Sequence, residues 1–310
     1  MPVYKAPVEE TLFILKDVLD ISNFSHIAGY EDMSLEMVEA ILEQIAKIAE
    51  TEMFPLNQVG DAEGCKRQED GNVITPKGFK EAYNTYCEGG WPGFVTNPKY
   101  GGQGLPYCVY SAFSEYVISA NNAFTVYPGL TQSAIAAINA HANDALKQMY
   151  LPKMIEGKWT GTMNLTEPQC GTDLGLLTTK AIKNENGSYT ISGQKIFISS
   201  GEHDLAENIV HLVLARVEGA PDGTKGISLF IVPKFEVDEQ GELGKRNKVV
   251  CGSIEDKMGL HGNATCVMNY DGAIGHLVGE ENNGLKAMFK MMNEARLQVA
   301  MQGHGQSVIS

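Results

Sequence analysis

The stretch NLTEPQCGTDLG, residues 164–175, is a short polar break between apolar segments, and the texture of the chain changes around it. Leu165 is expected to close a strand. The chain then turns through Pro168, with Thr166 and Thr172 offering hydroxyls on either side and Gly171 free to present an unobstructed N–H. Such a turn can cradle an anion or the edge of a heteroaromatic ring. Farther on, KIFISSG ends another strand, with Phe197 and Ser199 two residues apart and therefore on one face. That face offers a ring to stack on and a hydroxyl to bond with. Taken singly, the same residues also read as turn threonines, a core aromatic and a capping hydroxyl.

Before this break the patterning is helical. Pro7 followed by Glu9 and Glu10 marks a helix start, with Leu12, Leu15, Val18 and Leu19 as its apolar stripe. From Ser34, the apolar residues Leu35, Val38, Leu42, Ile45 and Ala49 recur at helical spacing until Pro55, where the helix is predicted to stop. A further helix holds Val109, Phe113, Tyr116 and Val117, and another is predicted through TQSAIAAINAHANDALKQMYL. From about residue 161 to 280 the runs turn β-rich, SYTISGQKIFIS, NIVHLVLARV, GISLFIVPKF and TCVMNYDGA, separated by turn clusters such as NENG and GAPDGTKG. Helical spacing returns with Leu285, Met288, Phe289, Met292 and Ala295. The expected fold is α+β. It comprises an N-terminal extension helix (1–33), an all-α domain (34–160), a middle antiparallel β-barrel or sandwich domain (161–280) and the first helix of a truncated C-terminal bundle (281–310). The last helix cannot bury its own apolar face, so Met288, Phe289 and Met292 are expected to stand exposed and to promote association.

Composition narrows the function. With 310 residues, 43% of them hydrophobic, the chain can bury sizeable cores, and its net charge of −14 argues against a nucleic-acid partner or an anionic membrane surface. The start lacks the basic-then-apolar pattern of a secretory leader, and no apolar run approaches the ~18 residues a membrane span needs, so a cytoplasmic location is expected. Six cysteines without CxxC or framework spacing read as reduced thiols. Dinucleotide, P-loop, zinc-protease and serine-hydrolase signatures are missing, and the scattered histidines, His203 in a loop and His211 in a strand among them, suggest no metal site. The glycine-rich KYGGQGLPY, with Gly101, Gly102 and Gly104, lacks the strand a phosphate loop requires and reads as a turn into the next helix.

Thr166, Glu167, Pro168, Gly171, Thr172 and Asp173 resemble the signature of the acyl-CoA dehydrogenases. GGQGLP before them, and GQKIFISSG and KMGLHGNAT after them, stand in that family's order. The YKAP segment and HDLAENIVHLVLARV look closer to the subfamily containing 3-methylthiopropanoyl-CoA dehydrogenase than to the short- and medium-chain fatty acyl enzymes. The resemblance implies FAD as cofactor, an acyl-CoA as substrate, an electron-transfer flavoprotein as acceptor and a homo-oligomer when intact. It implies that Met163, Leu165 and Thr166 line the flavin and that Gly171 and Thr172 approach its pyrophosphate and the CoA. Phe197 stands where the family usually has Trp against the isoalloxazine, and Ser199 where it usually has the Thr near flavin N5, with Ile198 between them. Asn293 and Arg296 match positions near the substrate and the dinucleotide. The family's catalytic base, a glutamate, lies beyond residue 310, so no catalytic residue is assigned, and Glu167 reads as structural. Alternative readings are a non-catalytic or DNA-binding relative of the same scaffold, which the acidity disfavours, and an acyl-CoA oxidase.

Overall fold

The computed structural model describes residues 3–27, 29–31 and 33–310. Positions 1, 2, 28 and 32 of the expected N-terminal extension lie outside the described residues. The first helix, α1 (Val8–Phe13), runs into a π turn over Ile14–Val18. The wider turn shifts the apolar phase, so Leu15 is buried while Val18 and Leu19, predicted on the same stripe, are exposed. The extension packs into the helical core through Tyr4, Ala6, Leu15 and Ile21. Two long-range bonds tie it down, Ala6 N–H to Glu50 Oε1 at 2.9 Å and the Tyr116 hydroxyl to Thr11 Oγ1 at 2.7 Å.

Helix α2 (Leu35–Ile48) is capped by Ser34, whose Oγ accepts from the Met37 N–H at 3.1 Å. Contrary to the expectation at Pro55, the chain stays helical, passing through a π turn at Ala49–Met53 into α3 (Phe54–Glu63). Pro55 sits in the first turn of α3, where a missing N–H costs little. A small hairpin of β1 (Lys66–Arg67) and β2 (Val73–Ile74) leads to α4 (Phe79–Glu88). The glycine-rich turn then opens into α5 (Tyr107–Ala120), as predicted. The single helix predicted through residues 131–151 is two, α6 (Asn122–His141) and α7 (Asp144–Ile155). Ala142 and Asn143 are extended between them, and the Asn143 side chain caps α7 by accepting from the Leu146 N–H at 2.9 Å. Aromatic side chains fill the helical core, with Tyr110 and Phe113 stacked at 5.6 Å and Trp91 and Phe113 at 5.7 Å.

The β domain comprises β3 (Trp159–Asn164), β4 (Lys180–Lys183), β5 (Tyr189–Ser199), β6 (Asn208–Val217), β7 (Ile227–Pro233), β8 (Phe235–Val237), β9 (Leu243–Arg246), β10 (Val249–Ile254) and β11 (Thr265–Val278). The main sheet has seven strands, and because β7 pairs with both β11 and β6 it closes on itself as β11–β5–β4–β6–β7. Most pairings are antiparallel; β3 and β4 run parallel to β6. The apolar runs of β6 and β7 are explained by burial on both faces. Val213, Ala215, Phe230 and Val232 fill the barrel, while Leu212, Leu214, Leu229 and Ile231 meet the helices.

The last helix, α8 (Gly284–Ile309), touches down on β7 at its first residue. A Cβ on Gly284 would lie 2.3 Å from the Ser228 carbonyl carbon and 2.5 Å from the Leu229 nitrogen. Gly284→Ala should therefore cost about 2–3 kcal/mol in a urea melt, since a strand backbone cannot yield as a side chain can; an unchanged midpoint would refute the contact. The helix buries Ala287, Met288 and Met291, so Met288 is core rather than exposed as predicted. Met292 is half-buried, and the exposed apolar side is carried by Phe289, Leu297 and Val299. The i, i+3 pair 288/291, which spacing alone does not single out, is the face that meets the sheet.

Candidate active site

Strand β3 alternates sharply. Thr160, Thr162 and Asn164 are buried polar residues, whereas Met163 and Leu165 are half-buried and pack against the cluster shared by the helices and the outer face of β6 and β7. Immediately after β3, the Thr166 carbonyl accepts from the Ile196 N–H at 2.9 Å. That bond sets the end of β3 abreast of the end of β5, so residues 163–166 and 195–199 form one ledge.

A buried ion pair locks the ledge. Lys195, 0% exposed, donates from Nζ to the Leu165 carbonyl at 2.9 Å and to Glu167 Oε1 at 2.7 Å. The Glu167 carboxylate also accepts from the N–H groups of Thr178 (2.7 Å) and Thr179 (3.1 Å), from both their hydroxyls, and from Gln169 Nε2 at 2.6 Å. Burial alone would raise the Glu167 carboxyl, but the Lys195 ammonium and these donors hold it at about 2. Burial draws Lys195 below its ordinary value, and Glu167 opposes that shift. Glu167 is thus a fastener for the turn that it closes with Cys170, through reciprocal backbone bonds of 2.9 and 3.0 Å. The structural reading of Glu167 holds. Lys195 was missed, although a lysine at an inward strand position two residues before Phe197 is a signal, because a buried ammonium requires a partner.

Phe197 is not core. It is 61% exposed and left-handed at φ +58°, a conformation strained for any residue with a Cβ. The register between β5 and β11 slips at this point, and the extra residue changes which side chains face inward. Lys195 and Ile198 point into the barrel while Phe197 and Ser199 lie on the outer face. The Ile198 side chain therefore belongs to the core, 2% exposed. Ser200 is also left-handed, at φ +56°, and its Oγ accepts from Asn263 Nδ2 at 2.9 Å. Phe197→Gly should raise the unfolding free energy by about 1 kcal/mol by releasing the left-handed strain, read as a higher denaturant midpoint with unchanged slope. A lower midpoint would show that the ring packs in the free protein.

Beyond the turn, Gly171 and Thr172 are exposed, and neither N–H has a hydrogen-bond partner among the described residues. A Cβ on Gly171 would meet only Thr166 Cγ2, at 3.9 Å, so the approach to these donors is open. The ledge thus combines an exposed ring, a hydroxyl, paired free N–H donors and an apolar flank. Asn293 and Arg296 stand apart on the exposed side of α8, where Arg296 NH1 donates to Asn293 Oδ1 at 3.0 Å, and no hydrogen bond among the described residues joins either to the ledge.

Beneath the ledge lies a polar network that sequence patterning did not reveal. The Tyr270 hydroxyl donates to Asn164 Oδ1 and Asn164 Nδ2 to Thr162 Oγ1, each at 2.8 Å, and Thr162 Oγ1 lies 2.7 Å from His211 Nδ1. Thr160 Oγ1 lies 2.9 Å from His203 Nε2, while His203 Nδ1 accepts from the Leu205 N–H at 3.2 Å. Nearby, Glu202 is held by Lys234 and by Arg246 NH2 at 3.0 Å. Burial, with Lys234 adding repulsion, pushes both imidazoles down to about 3, so they stand neutral. No cluster able to hold a metal ion occurs among the described residues.

Comparison with known proteins matches residues 36–158 to the acyl-CoA dehydrogenase N-terminal domain and residues 162–273 to the acyl-CoA dehydrogenase middle domain. The chain is 45% identical to a 3-methylmercaptopropionyl-CoA dehydrogenase of Ruegeria pomeroyi over 97% of its own length and 51% of the relative's. It is 37% identical to a butyryl-CoA dehydrogenase of Syntrophomonas wolfei, again over 97% of this chain and 51% of that one. Among solved structures, an acyl-CoA dehydrogenase complexed with FAD from Bacillus anthracis superposes with a TM-score of 0.71 at 23% identity, covering 89% of this chain and 42% of that one. The chain spans about half the length of the curated relatives it matches. With both domains matched in order around the ledge, the chain belongs to the acyl-CoA dehydrogenase family.

Proposed function

We propose that the protein carries out FAD-dependent α,β-dehydrogenation of an acyl-CoA thioester, with the flavin ring lying on the ledge formed by the ends of β3 and β5. The observation that carries this reading is the strained, outward Phe197 beside Ser199, abreast of Thr166. The residues present suit the cofactor: a free aromatic face, a hydroxyl and two unpartnered N–H groups beside an open glycine make complementary partners for a ring and a pyrophosphate. When bound, the flavin supplies the hydride acceptor. Phe197 would hold the ring from one side and Ser199 would direct its hydroxyl toward N5. Met163 and Leu165 would exclude water along the apolar flank, and Gly171 and Thr172 would bind phosphate oxygens and meet the CoA.

Glu167 is unsuited to abstract the α-proton, since its oxygens are filled by donors and its affinity for a proton is low, at about 2. We assign that step to a carboxylate outside these 310 residues. Asn293 and Arg296 would contact substrate and dinucleotide from α8, reduced flavin would pass electrons to an electron-transfer flavoprotein, and the whole protein would assemble as a homo-oligomer in the cytoplasm. No helix among the described residues is long and apolar enough to cross a membrane.

The test is reconstitution with FAD followed by reduction with an acyl-CoA in the whole protein. A yellow protein whose flavin bleaches on adding acyl-CoA supports the reading; failure to retain FAD overturns it, and peroxide release in air would make it an oxidase. Ser199→Ala should slow flavin reduction about 10-fold, the kinetic equivalent of one hydrogen bond of about 1.4 kcal/mol, while the melting temperature stays nearly unchanged. Unchanged reduction with a large loss of melting temperature would reassign Ser199 to structure.

A further inference from the structure

Backbone strain in this chain is concentrated beside the ledge. Of the five non-glycine residues with a left-handed backbone among the described residues, Phe197, Ser200 and Leu260 belong to two segments that touch, the end of β5 and the loop 257–264. Such a conformation persists only where the surroundings hold it. What holds Ser200 is the end of that loop. Asn263, 2% exposed, donates from Nδ2 to Ser200 Oγ at 2.9 Å, and the Ala264 carbonyl accepts from the Ser200 N–H at 2.8 Å. Ser200 is thus gripped by side chain and main chain at once. The loop in turn is braced against the helical body. The Tyr127 hydroxyl on α6 donates to the Gly262 carbonyl at 3.1 Å, and the Cys65 N–H donates to the His261 carbonyl at 3.0 Å. A Cβ on Gly262 would lie 2.8 Å from the Phe79 ring, so loop and helix α4 are in direct contact. The Lys257 ammonium closes the loop on itself by donating to the Asn263 carbonyl at 2.6 Å.

We infer that Asn263 is a positioning residue for Ser199: by holding Ser200 left-handed it fixes the direction in which the last side chain of β5 leaves the strand, and so aims the Ser199 hydroxyl at flavin N5. The inference rests on the reading of Ser199 given above. Released to an ordinary φ, Ser200 would turn by about 100° or more about one bond, and the terminal pairing of Ser199 with Thr265 would fray with it. A hydroxyl misdirected by a fraction of that angle loses most of its hydrogen bond. Asn263 touches neither flavin nor substrate in this scheme; it acts through its neighbour.

The test uses the whole protein, first without and then with FAD. Without FAD, Asn263→Ala should speed hydrogen exchange at the Ser200 amide about 10-fold while the amides of β6 keep their protection. With FAD, and with whichever straight-chain acyl-CoA reduces the parent fastest at saturation, Asn263→Ala should slow flavin reduction about 5-fold and leave the FAD dissociation constant within about 2-fold. Combined with Ser199→Ala, it should be no slower than the roughly 10-fold of Ser199→Ala alone, since no hydroxyl is left to aim. A merely structural residue would weaken FAD binding and multiply with Ser199→Ala to about 50-fold. That outcome, or unchanged exchange at Ser200, overturns the inference and leaves the dehydrogenase reading intact. Should Asn263→Ala fail to fold, Lys257→Met, which removes only the ammonium behind the Asn263 carbonyl at a half-buried position, decides by the same criteria with an expected slowing of about 3-fold. Reduction at the parent rate by Ser199→Ala overturns the assignment of Ser199 and this inference with it, and a parent that no acyl-CoA reduces overturns the dehydrogenase reading as well.

Discussion

Lys195→Met should destabilise the folded chain by about 3–5 kcal/mol, because it leaves the Glu167 carboxylate buried beside an apolar side chain and removes the donor to the Leu165 carbonyl. The loss follows from asymmetry: two charges buried together nearly cancel their desolvation cost, and one left alone does not. Lys195→Met combined with Glu167→Gln should recover at least about 2 kcal/mol of the loss, since the amide keeps acceptor capacity for the Thr178 and Thr179 donors without the charge. Lys183→Met provides the control. Lys183 meets Glu281 at 3.4 Å with a side chain 62% exposed, and its loss should cost under about 1 kcal/mol. Urea melts of the four proteins check this, and a Lys195 variant no weaker than the Lys183 variant would remove the ion pair as the fastener of the ledge.

Acidification from pH 7 to 5 should cost about 3–4 kcal/mol, chiefly through His203 and His211. Both are 1% exposed and held at about 3, against about 6.5 in an unfolded chain. A depressed folded value means that the unfolded state binds more protons, so the stabilisation is complete above pH ~6.5 and drains as pH falls toward 3. Each imidazole contributes up to about 1.4 kcal/mol per pH unit in that window. His203→Asn with His211→Asn should flatten the slope between pH 6.5 and 5, even if the double variant is weaker at pH 7. Glu167, at about 2, joins only below pH ~4.3, where its unfolded form begins to take up protons. A stability profile flat from pH 7 to 5 in the parent protein would mean that one or both imidazoles reach solvent.

The division into helical body, barrel and returning helix was legible because period is a local property. Apolar residues spaced at three and four announce α2 and α5, and short β-rich runs bounded by turn clusters announce β5 and β6, without reference to partners. Errors fall where a neighbour overrides local preference. Pro55 reads as a stop, yet the π turn before it places the ring in a first helical turn. The run 131–151 reads as one helix because Asn143 is equally a helix residue or a cap until its side chain is seen to accept from Leu146.

The same contrast runs through the ledge. From residue order alone came the identity of the groups, Thr166, Gly171, Thr172, Phe197 and Ser199, and the expectation that two strand ends carry them. Only the tertiary structure decided that the ends lie abreast, through a bond from Ile196 to Thr166 between residues distant in the chain, and that one extra residue in β5 turns Phe197 outward and Ile198 inward. Alternation is written residue by residue, whereas a register slip and the partner of a buried lysine exist only between strands, and no single segment encodes them.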